Sequence, residues 1–112
     1  MGHIRHHAII VTSWDGHAIE AAWDHAKGLD MSPTDISDPQ VNGYQSFLIP
    51  PDGSKEGWTA SDDGDSRRYN FTMWLRTQRH DDKSSPLEWV EVEYGSDDRS
   101  ARVADSEWRK GR

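Results

Sequence analysis

Two stretches of this chain end in nearly the same way. His7-Ala8-Ile9-Ile10-Val11-Thr12-Ser13 runs into Trp14-Asp15-Gly16, and Phe47-Leu48-Ile49 runs into Pro50-Pro51-Asp52-Gly53-Ser54-Lys55-Glu56-Gly57-Trp58. Each is an apolar run of strand length that stops in small polar residues, an acid, a glycine and a tryptophan. Each also leads into a segment with helical spacing, which confines the chain to architectures that pack helices on a sheet. A right-handed crossover would set the two strands parallel. Both polar, Trp-bearing ends would then fall on one sheet edge, where ligand crevices of open α/β sheets lie. The candidate ligand-binding residues on that edge are Ser13, Trp14, Asp15, Ser54, Lys55 and Trp58, with Arg67 as a neutralising cation.

The first strand is read from His6 to Ser13. Both its alternating sets are apolar, Ala8 and Ile10 on one side and Ile9 and Val11 on the other, which predicts a central strand covered on two faces. Asp15 or Ser13 caps a helix from Gly16 to Lys27, with Ala18, Ile19, Ala22, Trp23, His25, Ala26 and Leu29 at helical spacing and Gly28 as the stop. Residues 30–43 hold Pro33, Pro39 and the Asn42-Gly43 turn signal and are read as a loop. A second strand spans Tyr44 to Ile49 and ends at Pro50-Pro51. Asp52 to Ser66 reads as the longest candidate functional loop, and the second helix starts at Asp65 or Ser66 and runs to Arg79. After a loop from Asp81 to Pro86, Leu87 to Tyr94 alternates cleanly, with Val90, Val92 and Tyr94 opposite a wet face of Glu91 and Glu93. Gly95 to Asp98 turns the chain, Ser100 to Ala104 returns as a short edge strand, and a tail from about 106 to 112 is expected to fray.

The expected fold is therefore a single α+β domain. Two helices lie on one face of a three- or four-stranded sheet in the order β-α-β-α-β, with an extra β at the end. A ferredoxin-like arrangement is the nearest familiar topology, but its βαββαβ order would need a strand hidden in residues 30–43.

So polar a chain needs its aromatics. Only 33% of its 112 residues are hydrophobic, and six Trp, three Tyr and two Phe must supply much of the packing, since each aromatic buries about 150–250 Å². With no cysteine there is no disulfide framework and no thiol chemistry, which points to the cytoplasm. No run approaches the ~20 apolar residues of a membrane span. A net charge of −7 argues against binding the nucleic-acid backbone, which needs a basic face.

The motifs that could carry chemistry fall short. His3, His6, His7, His17, His25 and His80 do not share the close, same-face spacing of metal ligands, so no metal is assigned. Asp62-Asp63-Gly64-Asp65 misplaces the glycine of a calcium loop and reads instead as charge at a helix start. No nucleophile elbow or P-loop is present, and no catalytic residue or cofactor is assigned. The enzyme alternative is a small hydrolase using His7, Asp15 or His17 at the same edge. A separate interface is expected at Trp89, Glu91 and Glu93, where an exposed tryptophan beside acids suits a partner protein; the equal alternative is a tryptophan covered by a helix. The thin core and open sheet face also favour a homo-oligomer.

Residues 3–13, 42–58 and 89–95, about a third of the chain, resemble small uncharacterised proteins encoded by bacterial phages and prophages. The resemblance implies a phage accessory protein in the cytoplasm of a bacterial host. Such a protein would act by stoichiometric binding in counter-defence, sequestering a nucleotide-like signal or blocking a host protein.

Overall fold

A computed structural model of the chain describes residues 4–55, 57–95 and 99–108. The fold is α+β. Strands β1 (Arg5–Ser13), β2 (Gln45–Ile49), β3 (Glu88–Gly95) and β4 (Ala101–Ser106) form one sheet in the order β2-β1-β3-β4. Helices α1 (Gly16–Gly28) and α2 (Thr59–Thr77) pack on one face of it. All three strand pairings are antiparallel.

That antiparallel sheet corrects the expected parallel pair. Ser13 at the end of β1 lies opposite Gln45 at the start of β2. The cause is the segment after α1. It runs extended beside β2, with Thr34 and Ser37 amides donating to Leu48 and Ser46 carbonyls at 2.9 and 2.8 Å, and Gln40 N–H donating to Tyr44 O. In return Thr34 Oγ1 and Ser37 Oγ accept from the amides of Leu48 and Ser46, both at 3.0 Å. Side-chain oxygens thus do part of a neighbouring strand's work and satisfy the edge of β2 where two prolines preclude a regular ladder. Trp23 of α1 clamps the same segment by donating from Nε1 to Thr34 O at 2.9 Å.

One face of each strand builds the core. Ile9 and Val11 of β1, Phe47 and Ile49 of β2 and Trp89 of β3 meet Ile19, Ala22 and Ala26 of α1 and Phe71 and Leu75 of α2. β1 is central, as read, but only one of its faces is covered. Ile10 and its cross-strand partner Leu48 remain on an open face, because both helices lie on the other side.

α2 begins six residues before its expected start. Thr59 to Gly64 looks like loop because of its acids and glycine, yet Asp62 suits the positive end of the helix. Gly64 has a steric reason. A Cβ there would meet Asp52 Oδ2 at 2.7 Å, so the glycine lets the β2–α2 connection press against the helix. Burial opposes ionisation of Asp52. Hydrogen bonds from Ser54 and the charges of Arg68 and Arg67 outweigh it and hold the carboxyl below its usual value.

The helices meet through a stack. His25 of α1 lies parallel to Trp74 of α2, with centroids 4.3 Å apart and planes 9° from parallel, and near Phe71 at 6.2 Å. Burial disfavours the imidazolium and lowers the pKa of His25. The unfolded chain takes up this proton at the ordinary value of about 6.5, the folded chain only at lower pH. Stability should therefore fall as pH drops through about 6.5, by at most ~1.4 kcal/mol per pH unit for one group, and level off below the folded value. Denaturant titrations between pH 8 and 5 should show this component in the parent and not in His25→Phe. Equal slopes would refute the assignment.

Candidate functional site

The two halves of the expected binding edge lie at opposite ends of the sheet. Lys55 pairs with Ile4, just before β1, whereas Trp14 follows its last residue. Nine strand residues separate those ends, roughly 30 Å. Ser13, Trp14 and Asp15 therefore do not share a site with Ser54, Lys55, Trp58 and Arg67.

Most of these residues have local structural work. Ser13 is buried; its hydroxyl donates to Pro86 O at 2.6 Å and accepts from Asp15 N–H at 3.0 Å, fastening the end of β1 to the β3 approach. Asp15 is the N-cap of α1, as anticipated, accepting from the amides of His17 and Ala18. Ser54 bonds back to Asp52 through hydroxyl and amide. Lys55 sits 5.5 Å from the ring centre of the half-exposed Trp58. Arg67 lines a hollow of about 150 Å³ with Asp52 and Gly64, smaller than the ~300 Å³ at which small-molecule sites begin.

Strand β3 turns the other way from expectation. Leu87 and Trp89 are buried, and Glu91 and Glu93 share their parity, so both acids face the helix side. There His7 Nδ1 lies 3.3 Å from Glu91 Oε2, and Arg5 Nε and Arg102 Nε lie 3.3 and 2.9 Å from Glu93 Oε1. Burial resists ionisation of Glu93, but Arg102, Arg5 and His7 together hold its carboxyl below the usual range. The expected interface of Trp89, Glu91 and Glu93 is thus not an exposed surface: the tryptophan is core and the acids are half-buried and paired.

The hydrolase residues do not converge either. His7 lies in this cluster, six residues before the end of β1, while Asp15 and the exposed His17 lie beyond that end at the start of α1. Among the described residues no group of three or more His, Asp or Glu could hold a metal ion, and no helix is long and apolar enough to cross a membrane.

An opening among the described residues has the size of a ligand site. A cleft of about 450 Å³ lies where β1 ends and β3 begins. Trp14 enters from the β1–α1 junction, Arg79 from beyond α2, Lys83 from the α2–β3 connection and Trp108 from beyond β4. Trp14 and Trp108 are 57% and 65% exposed. Trp14 is braced by His80, near-parallel at 6.3 Å. A tight turn presents Lys83: its amide donates to His80 O at 2.9 Å, His80 N–H donates to Ser84 O at 2.8 Å, and Lys83 itself adopts a left-handed φ of 74°. Such a backbone is uncommon for a residue with a side chain. Arg79 is steadied by Glu107 Oε2 at 3.0 Å.

No family model, no curated protein and no solved structure matches this chain. The cleft must be read from its own chemistry. Two accessible indole faces offer stacking, and Lys83 and Arg79 offer positive charge beside them. Of the residues singled out in the sequence only Trp14 lines it. Arg79, Lys83 and Trp108 were passed over because a basic helix end, a polar loop and an expected frayed tail give no joint signal until β3 is known to start beside the end of β1. Glu107 is in fact tied to the sheet through its amide to Trp89 O at 3.1 Å, and only residues 109–112 of that expected tail lie outside the described residues.

Proposed function

We propose that this chain is a non-catalytic binding protein whose Trp14–Trp108 cleft holds a small nucleotide-like ligand, a flat ring joined to an anionic group. The observation that carries the reading is the pairing of two half-exposed tryptophans with Lys83 and Arg79 in an opening of adequate volume. A stacked base is worth ~1–3 kcal/mol, and Lys83 makes no ion pair among the described residues, so its charge is available to an anion. The resemblance of residues 3–13, 42–58 and 89–95 to phage-encoded proteins supports a cytoplasmic counter-defence role, with sequestration of a host signal in place of turnover. The fold itself reads as ferredoxin-like, with residues 33–40 in the place of the missing strand and β4 added at the far edge. The hydrogen bonds of Thr34, Ser37 and Gln40 support that reading.

Native mass spectrometry of protein purified from a bacterial host should show a retained small molecule absorbing as a nucleobase, released on denaturation. Trp14→Ala should weaken binding of that molecule about 5- to 150-fold. Trp58→Ala, at the opposite end of the sheet, should leave affinity unchanged. Undiminished affinity in Trp14→Ala, or bare protein that binds nothing in a nucleotide panel, would overturn the reading.

A further inference from the structure

The sheet face turned away from the helices carries Ala8, Ile10, Leu48, Val90, Val92 and Val103, joined by direct cross-strand pairing. Ile10 is 40%, Leu48 37% and Val103 60% exposed. A contiguous apolar patch of a few hundred Å² is often a site of association. We propose that a second copy of this chain covers the face, forming a twofold dimer of sheet on sheet.

Charge placement favours self-association. The chain carries −7, which ordinarily keeps copies apart. On the sheet, however, the acids are segregated. Glu91, Glu93 and Asp105 lie on the helix side, paired with arginines, and Glu88 stands at the end of the open face, opposite Thr12. Two copies can therefore meet over its apolar middle, with the carboxylate of Glu88 confined to the rim. Among the described residues the middle of this face carries no charged side chain, which leaves a basic protein or an anionic membrane little to recognise there.

Size and symmetry agree. Four strands ~4.8 Å apart and about six residues long at ~3.4 Å each present roughly 400 Å² in projection. Side-chain relief adds to that projection, which places the face at the small end of specific interfaces. A twofold axis along the strands lays β2 of one copy over β4 of the other. It sets Ile10 against Val90 and Ala8 against Val92, while Leu48 comes level with Ser106, so a largely apolar patch is its own complement. Aligned sheets pack ~10 Å apart on such residues.

Light scattering of the full chain at about 50 μM, well above a micromolar Kd, should give twice the 12.8 kDa of one chain. Val92→Lys and Val103→Glu should each raise the dimer Kd about 100-fold or more and return a 12.8 kDa species with an unchanged far-UV spectrum. Val103 is exposed enough in a single chain that its replacement does not burden folding. Trp14→Ala should leave the mass at the dimer value, which separates this inference from the ligand reading. Parent protein at the monomer mass, bare or with another polypeptide bound, overturns the proposal. A dimer that survives both substitutions does so too.

Discussion

Trp89→Ala is expected to destabilise the fold by about 3–5 kcal/mol, the range for deleting a buried aromatic. Trp89 is 2% exposed and closes the core between β3 and α2. It also holds chain beyond the core. Its Nε1–H donates to Glu107 Oε1 at 2.9 Å, its carbonyl accepts the Glu107 amide, and the Arg76 guanidinium lies 4.8 Å from its ring centre. A domain of this size has ~5–15 kcal/mol in hand, and about 4 °C of Tm goes with each kcal/mol. The midpoint should fall by roughly 12–20 °C. Trp89→Phe keeps most of the apolar area and loses the indole donor, so it should cost nearer 1 kcal/mol. Thermal and denaturant unfolding of both variants check this. A loss below 1 kcal/mol in the alanine variant would mean that Trp89 is a surface residue after all.

The sequence made Trp89 ambiguous for a definite reason. Alternation shows which residues share a face, Leu87 with Trp89, Glu91 and Glu93, and Val90 with Val92 and Tyr94. It does not say which face meets the helices. The valines look like core and the glutamates like solvent, but the larger pair, Leu87 and Trp89, decides the parity. The acids then lie past the hydrophobic cluster, where Arg5, His7, Arg68 and Arg102 receive them.

The direction of β2 was hidden differently. Strands β1 and β2 and helix α1 were legible within a residue or so, because their apolar periods are strong. Residues 33–40 have no such period. They hold the edge of β2 through Thr34 and Ser37 side chains as well as amides, a device that leaves no alternation to read. Missing that segment reversed β2 and put both Trp-bearing junctions on one edge. The cleft that does form draws on three separated pieces of chain, and only β1–β3 pairing, a long-range fact, brings them together.

The second large effect is expected at Arg76. Its Nη2 donates to Asp105 Oδ1 at 2.5 Å and lies 3.3 Å from Ser106 O, tying α2 to the edge strand β4. Asp105 is buried and also accepts from Ser106 N–H at 2.9 Å. It reaches the inner face because β3 and β4 shift register between Glu91 and Val92. Arg76→Ala would leave that carboxylate without its guanidinium and remove the cation over Trp89, at a cost of about 3–5 kcal/mol for breaking one side of a buried pair. Asp105→Asn removes the charge that needs compensation, so Arg76→Ala made in that background should cost distinctly less than alone. The two should couple by about 1–3 kcal/mol in a double-mutant cycle. Arg76→Lys keeps the charge but not the planar fork, and should fall between parent and alanine. Additive losses would show that Arg76 acts only by covering Trp89, and that the Asp105 pair contributes nothing to holding β4 on the sheet.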